Sequence, residues 1–416
     1  MATQTLPPDI ISEIISRLPV KPLLRFKCVA KSWNSLINSP KFIKHHLNQQ
    51  TLISDQFPQI IINSHKSLSV TSIDDQNPKI LRFSELNHPL NNLPDHNAVE
   101  IDGTCNGVVC ISPYDKKSLS LYNPSTKTHR LLPPFAPSTK VKPYFHKIDP
   151  NNFNLVVFGF GYDSDNDDYI VLRMIQNNEH RESSVYSLKN NSWNFVDDHT
   201  SIDYRIQILK GVLVNETLHF CAVKIMGNYK LKRIIKCFNV KTRTFSLMEI
   251  PNIVEKFDKF DFIMSELGGC LCLLVNHVNF DADADLCRKL MCSDMWVKKE
   301  EGWVRMFSVN DPECIGASMQ IKPVVYSKDG ERVLLQLDGM VLVWYDLGSR
   351  EFEKVTIHGL PLKDGKNGGV DAWTFVESLV CVGSVEEKPR DNSVPKQKKN
   401  NNDSSNFLSK GFKLRL

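Results

Sequence analysis

A chain of 416 residues, 41% hydrophobic and 24% charged, has the make-up of a globular protein with two domains or one large one. Its net charge of +4 is unevenly placed: residues 388–416 carry eight Lys or Arg against two Asp, which leaves −2 on the rest and gives the body no electrostatic basis for holding nucleic acid. No run approaches the roughly eighteen apolar residues of a membrane helix, the start lacks a secretion-signal pattern, and eleven cysteines without any C-x-x-C point to reduced thiols in cytosol or nucleus.

Leu6, Ile10, Ile11, Ile14, Ile15 and Leu18 recur at helical spacing, so the chain opens on a short amphipathic helix. Pro8 and Asp9 suit its first turn, Glu13 and Arg17 stand four apart in the favourable order, and Pro19 ends it. A second helix is expected from Pro22, carrying Leu23, Leu24 and Phe26 toward Val29. A third runs from Lys31 through Trp33, Leu36 and Ile37. Ser39 caps and Pro40 opens a further turn with Phe42, Ile43 and Leu47 on its apolar side. Three or four such helices cannot bury this much apolar surface among themselves, because a segment of about forty residues is near the size that needs outside help. The surplus must pack on the remaining chain or on a partner.

The string Leu6-Pro7, Ile10, Glu13-Ile14, Leu18-Pro19-Val20, Leu23-Leu24-Arg25-Phe26, Val29, Lys31-Ser32-Trp33 and Phe42 resembles an F-box. Pro22 and Ala30 stand where plant members commonly carry Ser and Cys, and neither change removes an apolar anchor. The resemblance implies a three-helix module over residues 1–50 that binds the Skp-family adaptor of cullin–RING ubiquitin ligases. Leu6, Pro7, Ile10, Ile14, Leu18, Val20, Leu24, Val29 and Trp33 would be the adaptor-facing surface or the core that holds it. The plainer alternative is a helical cap on the chain's own body, with no outside partner.

From about residue 51 to 385 helical periodicity gives way to short β-rich runs separated by Asn, Asp, Gly, Ser and Pro. An aromatic, a polar turn and a second ring seven positions on recur five times: Tyr122 and His129, Tyr186 and Trp193, Phe238 and Phe245, Trp296 and Trp303, Tyr345 and Phe352. Rings so spaced can face each other across a hairpin. A repeat of about fifty residues with one hairpin per unit is the mark of a kelch-type β-propeller blade. Residues 51–83, with Ile60-Ile61-Ile62 and Ile80-Leu81-Arg82-Phe83, could build a further blade, and a late strand around Trp373 to Val382 would return to it and close the ring. The count favours six blades, with seven the alternative. The body also resembles the F-box-associated, kelch-like domain through Cys105-Asn106-Gly107, Tyr122-Asn123-Pro124-Ser125-Thr126, Gly159-Phe160-Gly161-Tyr162-Asp163, Asp167-Asp168-Tyr169, Gly211, Leu218-His219, Met295-Trp296-Val297 and Glu377-Ser378-Leu379-Val380. A double glycine of the kelch kind stands at Gly268-Gly269. The expected whole is α+β: F-box, all-β propeller, then a disordered basic tail over 386–416 in which Lys396, Lys398 and Lys399 offer a weak nuclear address.

No metal site or cofactor is expected. Asp163, Asp165, Asp167, Asp168 and Asp281, Asp283, Asp285 superficially suggest calcium, but an EF-hand loop needs Gly sixth and Glu twelfth, and these places hold Asp168 and Met174, or Leu286 and Cys292. Both stretches read as exposed turns. Cys270 and Cys272 alternate with leucines as on a strand, and His129 holds a ring position of the repeat. With no nucleophile elbow, P-loop or dinucleotide fingerprint, enzyme chemistry is not expected. The reading is then a non-catalytic substrate receptor that joins Skp adaptor, cullin and RING subunit to an unidentified target. The alternatives are an adaptor-binding protein without ligase output, or a propeller enzyme or carbohydrate binder. The last needs a central pocket with convergent polar groups, which no motif indicates. The loops around Asp163–Asp168 and Asp281–Asp285 are the first candidates for target contact.

Overall fold

The computed structural model describes residues 7–52, 58–64, 67–74, 76–92, 98–135, 155–176, 181–200, 204–206, 210–226, 231–251, 260–280, 288–309, 320–339, 341–360 and 370–383. The basic tail and Asp281–Asp285 lie outside them.

Four helices come first: α1 Pro8–Ser16, α2 Val20–Phe26, α3 Lys31–Ile37 and α4 Pro40–Leu52. The Arg17 guanidinium meets Glu13 at 2.9 Å, as their spacing requires. The second helix begins at Val20 rather than Pro22, because Pro19 already turns the chain in (φ −58°, ψ 156°). Pro22 then falls in the first turn, where a missing amide hydrogen costs nothing. Ser39 accepts the Phe42 amide at 3.2 Å and starts α4. Ile15, Val20, Leu23, Ile37 and Phe42 form the buried centre of the four.

The rest is a six-bladed propeller of four- and five-stranded antiparallel sheets. Blade 1 holds Gln59–Ser64, Ser67–Thr71 and Ser84–Leu86, and its innermost strand is Val370–Phe375 from the far end of the chain, with Ile61 opposite Trp373. This closes the ring as expected, except that the strand ends at Phe375 and residues 376–383 leave the sheet. Ile80–Arg82 pairs in parallel with Thr356–His358, outside the sheet of blade 1. Blades 2 to 6 start from the innermost strands Val99–Cys105, Leu155–Asp163, the pair Tyr204–Ile206 and Val212–Val214, Phe260–Leu267, and Ile321–Tyr326. Buried apolar side chains form one cluster at every junction, for example Phe158 and Val171 of blade 3 against Cys110 and Leu121 of blade 2. Each blade therefore buries its faces against its neighbours, which is why the ring must close.

Four of the five ring pairs stand directly opposite each other: Tyr122 and His129, Tyr186 and Trp193, Phe238 and Phe245, Tyr345 and Phe352. In the last three the centroids are 5.3, 4.8 and 5.0 Å apart. Their turns share one device. An oxygen on the residue after the first ring, in Asn123, Ser187, Asn239 or Asp346, accepts turn amides at 2.8–3.0 Å. The turn then ends on a left-handed residue, Lys127, Asn191, Arg243 or Arg350. The fifth pair is offset: Trp303 faces Lys298 and Trp296 faces Arg305. Val297 stands where the others carry an oxygen, so the wide turn is not capped and the strands run on to a tighter one at Gly302 (φ 137°). The rings also tie blade to blade. Trp193 donates to the Pro133 carbonyl at 3.0 Å, Trp303 to Glu249 at 2.9 Å and Tyr122 to Asn87 at 2.9 Å.

Candidate functional site

The nine F-box residues divide by environment. Ile10, Ile14 and Val29 are 49%, 53% and 66% exposed, and Pro7 is exposed with them. Ile10 and Ile14, four apart on α1, lie on one helix face. Leu18, Leu24 and Trp33 are half-buried at the edge of the core, with the Trp33 ring edge-on to Phe26 at 5.2 Å. Val20 belongs to the core itself. Leu6 lies outside the described residues. The chain's own blades thus leave the face of Ile10 and Ile14 open.

Other side chains of the same helices face the propeller. Leu379, 2% exposed, packs into the core of Ile15, Val20, Leu23, Ile37 and Phe42, and Ile43 of α4 reaches the junction of blades 2 and 3. Leu379 sits in the segment 376–383 that follows the closing strand, and blade 2 grips that segment. The Asn123 amide donates to the Ser378 carbonyl and hydroxyl at 3.1 Å each and to the Val380 carbonyl at 2.8 Å. Thr126 adds a bond to Val380 at 3.2 Å. Gly107, in the left-handed region (φ 76°), lies so close that a Cβ there would be 2.4 Å from Ser378 Oγ and 2.6 Å from the Val376 carbonyl. Three stretches far apart in sequence, Cys105–Gly107, Tyr122–Thr126 and Glu377–Val380, therefore build one joint that clamps the helices to the ring. Sequence reasoning picked out all three but not their meeting. Gly107→Ala is expected to cost about 2–4 kcal/mol, the sum of a left-handed penalty and a backbone collision, and denaturant unfolding of the variant beside the parent measures it.

The helical core carries one titrating group. His46 is buried, its Nε2–H donates to the Leu18 carbonyl at 2.9 Å, and its Nδ1 has no hydrogen-bond partner. Burial holds its pKa below the ordinary value, opposed by the Leu18 carbonyl and aided by His45. The folded state therefore keeps His46 neutral, while the unfolded chain takes up a proton below about pH 6.5. Stability from this group is complete above that pH and declines as pH falls through it. Unfolding free energy of the parent should drop between about pH 7 and 5, and a His46→Gln chain should show a flatter profile.

The Asp163–Asp168 hairpin is an internally satisfied turn. Asp163 accepts the Asp165 and Asn166 amides at 3.2 Å and the Asn166 side chain at 2.8 Å, and pairs with Arg243 of blade 4 at 3.1 Å. Its oxygens are committed to holding the loop and the blade junction. Around the axis, the innermost strands enclose a cavity of about 1170 Å³ that no sequence motif indicated, with Lys210, Lys322, Asp371 and Trp373 in its wall.

Residues 4–45 match the F-box domain, and residues 55–368 match the F-box associated beta propeller domain. F-box protein CPR1 of Arabidopsis thaliana is 29% identical in an alignment that covers 99% of this chain and 100% of the relative. F-box protein At4g22390 of the same plant is 30% identical over 99% of each chain. F-box/kelch-repeat protein At3g23880 is 27% identical over 91% of this chain and 96% of its own length.

Proposed function

This chain belongs to the F-box proteins that carry an F-box-associated β-propeller, and on that footing we propose that it is the substrate-recognition subunit of a Skp–cullin–F-box ubiquitin ligase. The observation that carries the reading is the open face of Ile10, Ile14 and Val29 on helices otherwise clamped to the ring. A Skp-family adaptor covers that face and brings cullin and RING subunit with it, while the propeller holds a target protein. The chain makes and breaks no bond. It raises the effective concentration of a target lysine near the conjugating enzyme, a positioning effect that depends on a fixed geometry. The joint at Leu379 and Asn123 supplies that fixity. The output is ubiquitination of the target, leading to its degradation, in cytosol or nucleus.

The test is affinity purification from plant cells under proteasome inhibition, comparing the parent with an Ile10→Asp/Ile14→Asp chain. Substitution is preferable to deleting the helices, which would uncover Leu379 and the junction of blades 2 and 3 against which Ile43 packs. Adaptor and cullin should be absent from the variant sample while the target stays. Equal recovery of adaptor and cullin in both samples contradicts the proposal. So does a target recovered with adaptor that never gains ubiquitin.

A further inference from the structure

The cavity wall is built unevenly at one end of the channel. In blade 4 the innermost strand comes in two pieces among the described residues: Ile206 pairs with Ala222 and Val212 with His219. Lys210 stands between the two pieces and forms an isolated bridge with Phe158 of blade 3. Its ammonium crosses to Asp371 of the closing strand in blade 1 and bonds Oδ2. Lys322 of blade 6 bonds the other oxygen at 2.7 Å and the Ala372 carbonyl at 2.9 Å. Trp373 Nε1 also donates to Asp371, at 2.9 Å, and the Lys210 and Lys322 ammonium groups lie 5.8 and 4.9 Å from the Trp373 ring centroid. Burial alone would raise the Asp371 carboxyl, but the two lysines prevail and hold it well below the usual range, so it stays ionised.

Two ammonium groups share one carboxylate, and the cluster carries a net charge of +1. Lys210 spends one of its three N–H donors and Lys322 two. The remaining donors border the cavity, and the side chains of Lys210, Lys322 and Asp371 are 24%, 20% and 25% exposed, within reach of a solute. The acidic residues of the same wall are engaged elsewhere: Glu266 accepts the Gly269 amide at 2.7 Å and Asp338 the Gln320 amide at 2.8 Å. The cavity is far larger than an inorganic ion, and its wall mixes the amides of Asn106, Gln320 and Gln336 with Ile263, Met264 and Val324. That lining suits several residues of polypeptide around one anchored charge.

Resting on the receptor reading above, we propose that Lys210 and Lys322 anchor a carboxylate borne by an Asp or Glu of the target, presented on an acidic segment that enters the channel. Lys322 and Asp371 are each the second residue of an innermost strand, whereas Gly107 follows the end of one. Target and F-box helices therefore occupy opposite ends of the channel.

The full chain is titrated calorimetrically with an end-blocked heptapeptide carrying three central glutamates, with its glutamine counterpart, and with inorganic phosphate. The glutamate peptide should bind about tenfold or more tightly than the glutamine peptide, more tightly than phosphate, and more weakly as salt rises. Lys210→Gln and Lys322→Gln should each weaken it about tenfold, with Lys322→Arg, which keeps the charge, nearer the parent and melting temperatures recorded for all. No binding of the glutamate peptide, equal binding of the two peptides, or binding indifferent to both glutamine variants overturns the proposal. Tighter binding of phosphate does so too, by assigning the site to a free anion. Adaptor binding is measured on the same samples: its failure in the parent sinks the receptor reading and leaves the peptide result standing on its own.

Discussion

An Ile14→Asp chain is expected to unfold like its parent and to bind a Skp-family adaptor roughly 30- to 700-fold more weakly, a loss of about 2–4 kcal/mol. The two halves of this expectation come from one fact. Ile14 is 53% exposed, so the unbound chain gains little from its burial, and a surface change of this kind stays within about 0.5 kcal/mol of neutral. In the proposed complex the same side chain is covered, so an aspartate there would lose its hydration without a partner. Its neighbour Ile15, one residue along the helix and 3% exposed, gives the opposite pattern. Ile15→Asp should abolish helical structure in residues 8–52 before any partner is added. Circular dichroism beside calorimetric titration separates the two variants. Equal adaptor affinity in the Ile14→Asp chain and its parent would remove the exposed face from the account.

Asn123→Ala is expected to lower stability by about 2–4 kcal/mol and to loosen the helices from the ring. The deleted amide removes the Asn123 donor from the Ser378 carbonyl and leaves the Val380 carbonyl with Thr126 alone, and a buried acceptor that loses its donor costs about 1–3 kcal/mol. The strap that carries Leu379 is then held to blade 2 by the Thr126 and Thr128 bonds without Asn123, so the side chain that ties the helical core to the propeller is less firmly placed. Denaturant unfolding reads the stability, and amide exchange in α4 reads the loosening. Adaptor affinity should change little, because the Ile10 and Ile14 face is untouched, while ubiquitin transfer to a bound target should fall as its position becomes variable. Parent-like stability together with parent-like exchange in α4 would show that the joint is not what holds the helices.

Most of the architecture was legible in the chain because its cues are local. Helical spacing with Ser39, Pro8, Pro19 and Pro40 set the four helices, and rings seven apart marked the blade hairpins. The offset at Trp296 and Trp303 was visible too, once the missing turn oxygen at Val297 is counted against Asn123, Ser187, Asn239 and Asp346. What could not be read was whatever depends on distant segments meeting. Gly107, Asn123 and Ser378 look like unrelated turn residues until the closing strand brings residues 376–383 back to blade 2. The partition of the F-box residues was equally hidden. Helical period places Ile10, Ile14, Ile15 and Val20 on an apolar helix pair, but only packing decides that Ile15 and Val20 go inward while Ile10 and Ile14 stay out. The Lys210, Lys322 and Asp371 cluster joins three blades across the channel, and its members carry no pattern along the sequence.

Hydrogen exchange of the full chain, alone and with a purified Skp-family adaptor, tests the central claim most directly. Slowed exchange should centre on α1 around Ile10 and Ile14 and on the turn at Val29, with blades 1 to 6 exchanging as in the free chain. An adaptor that leaves α1 unprotected, or that protects only the ring, would contradict the account.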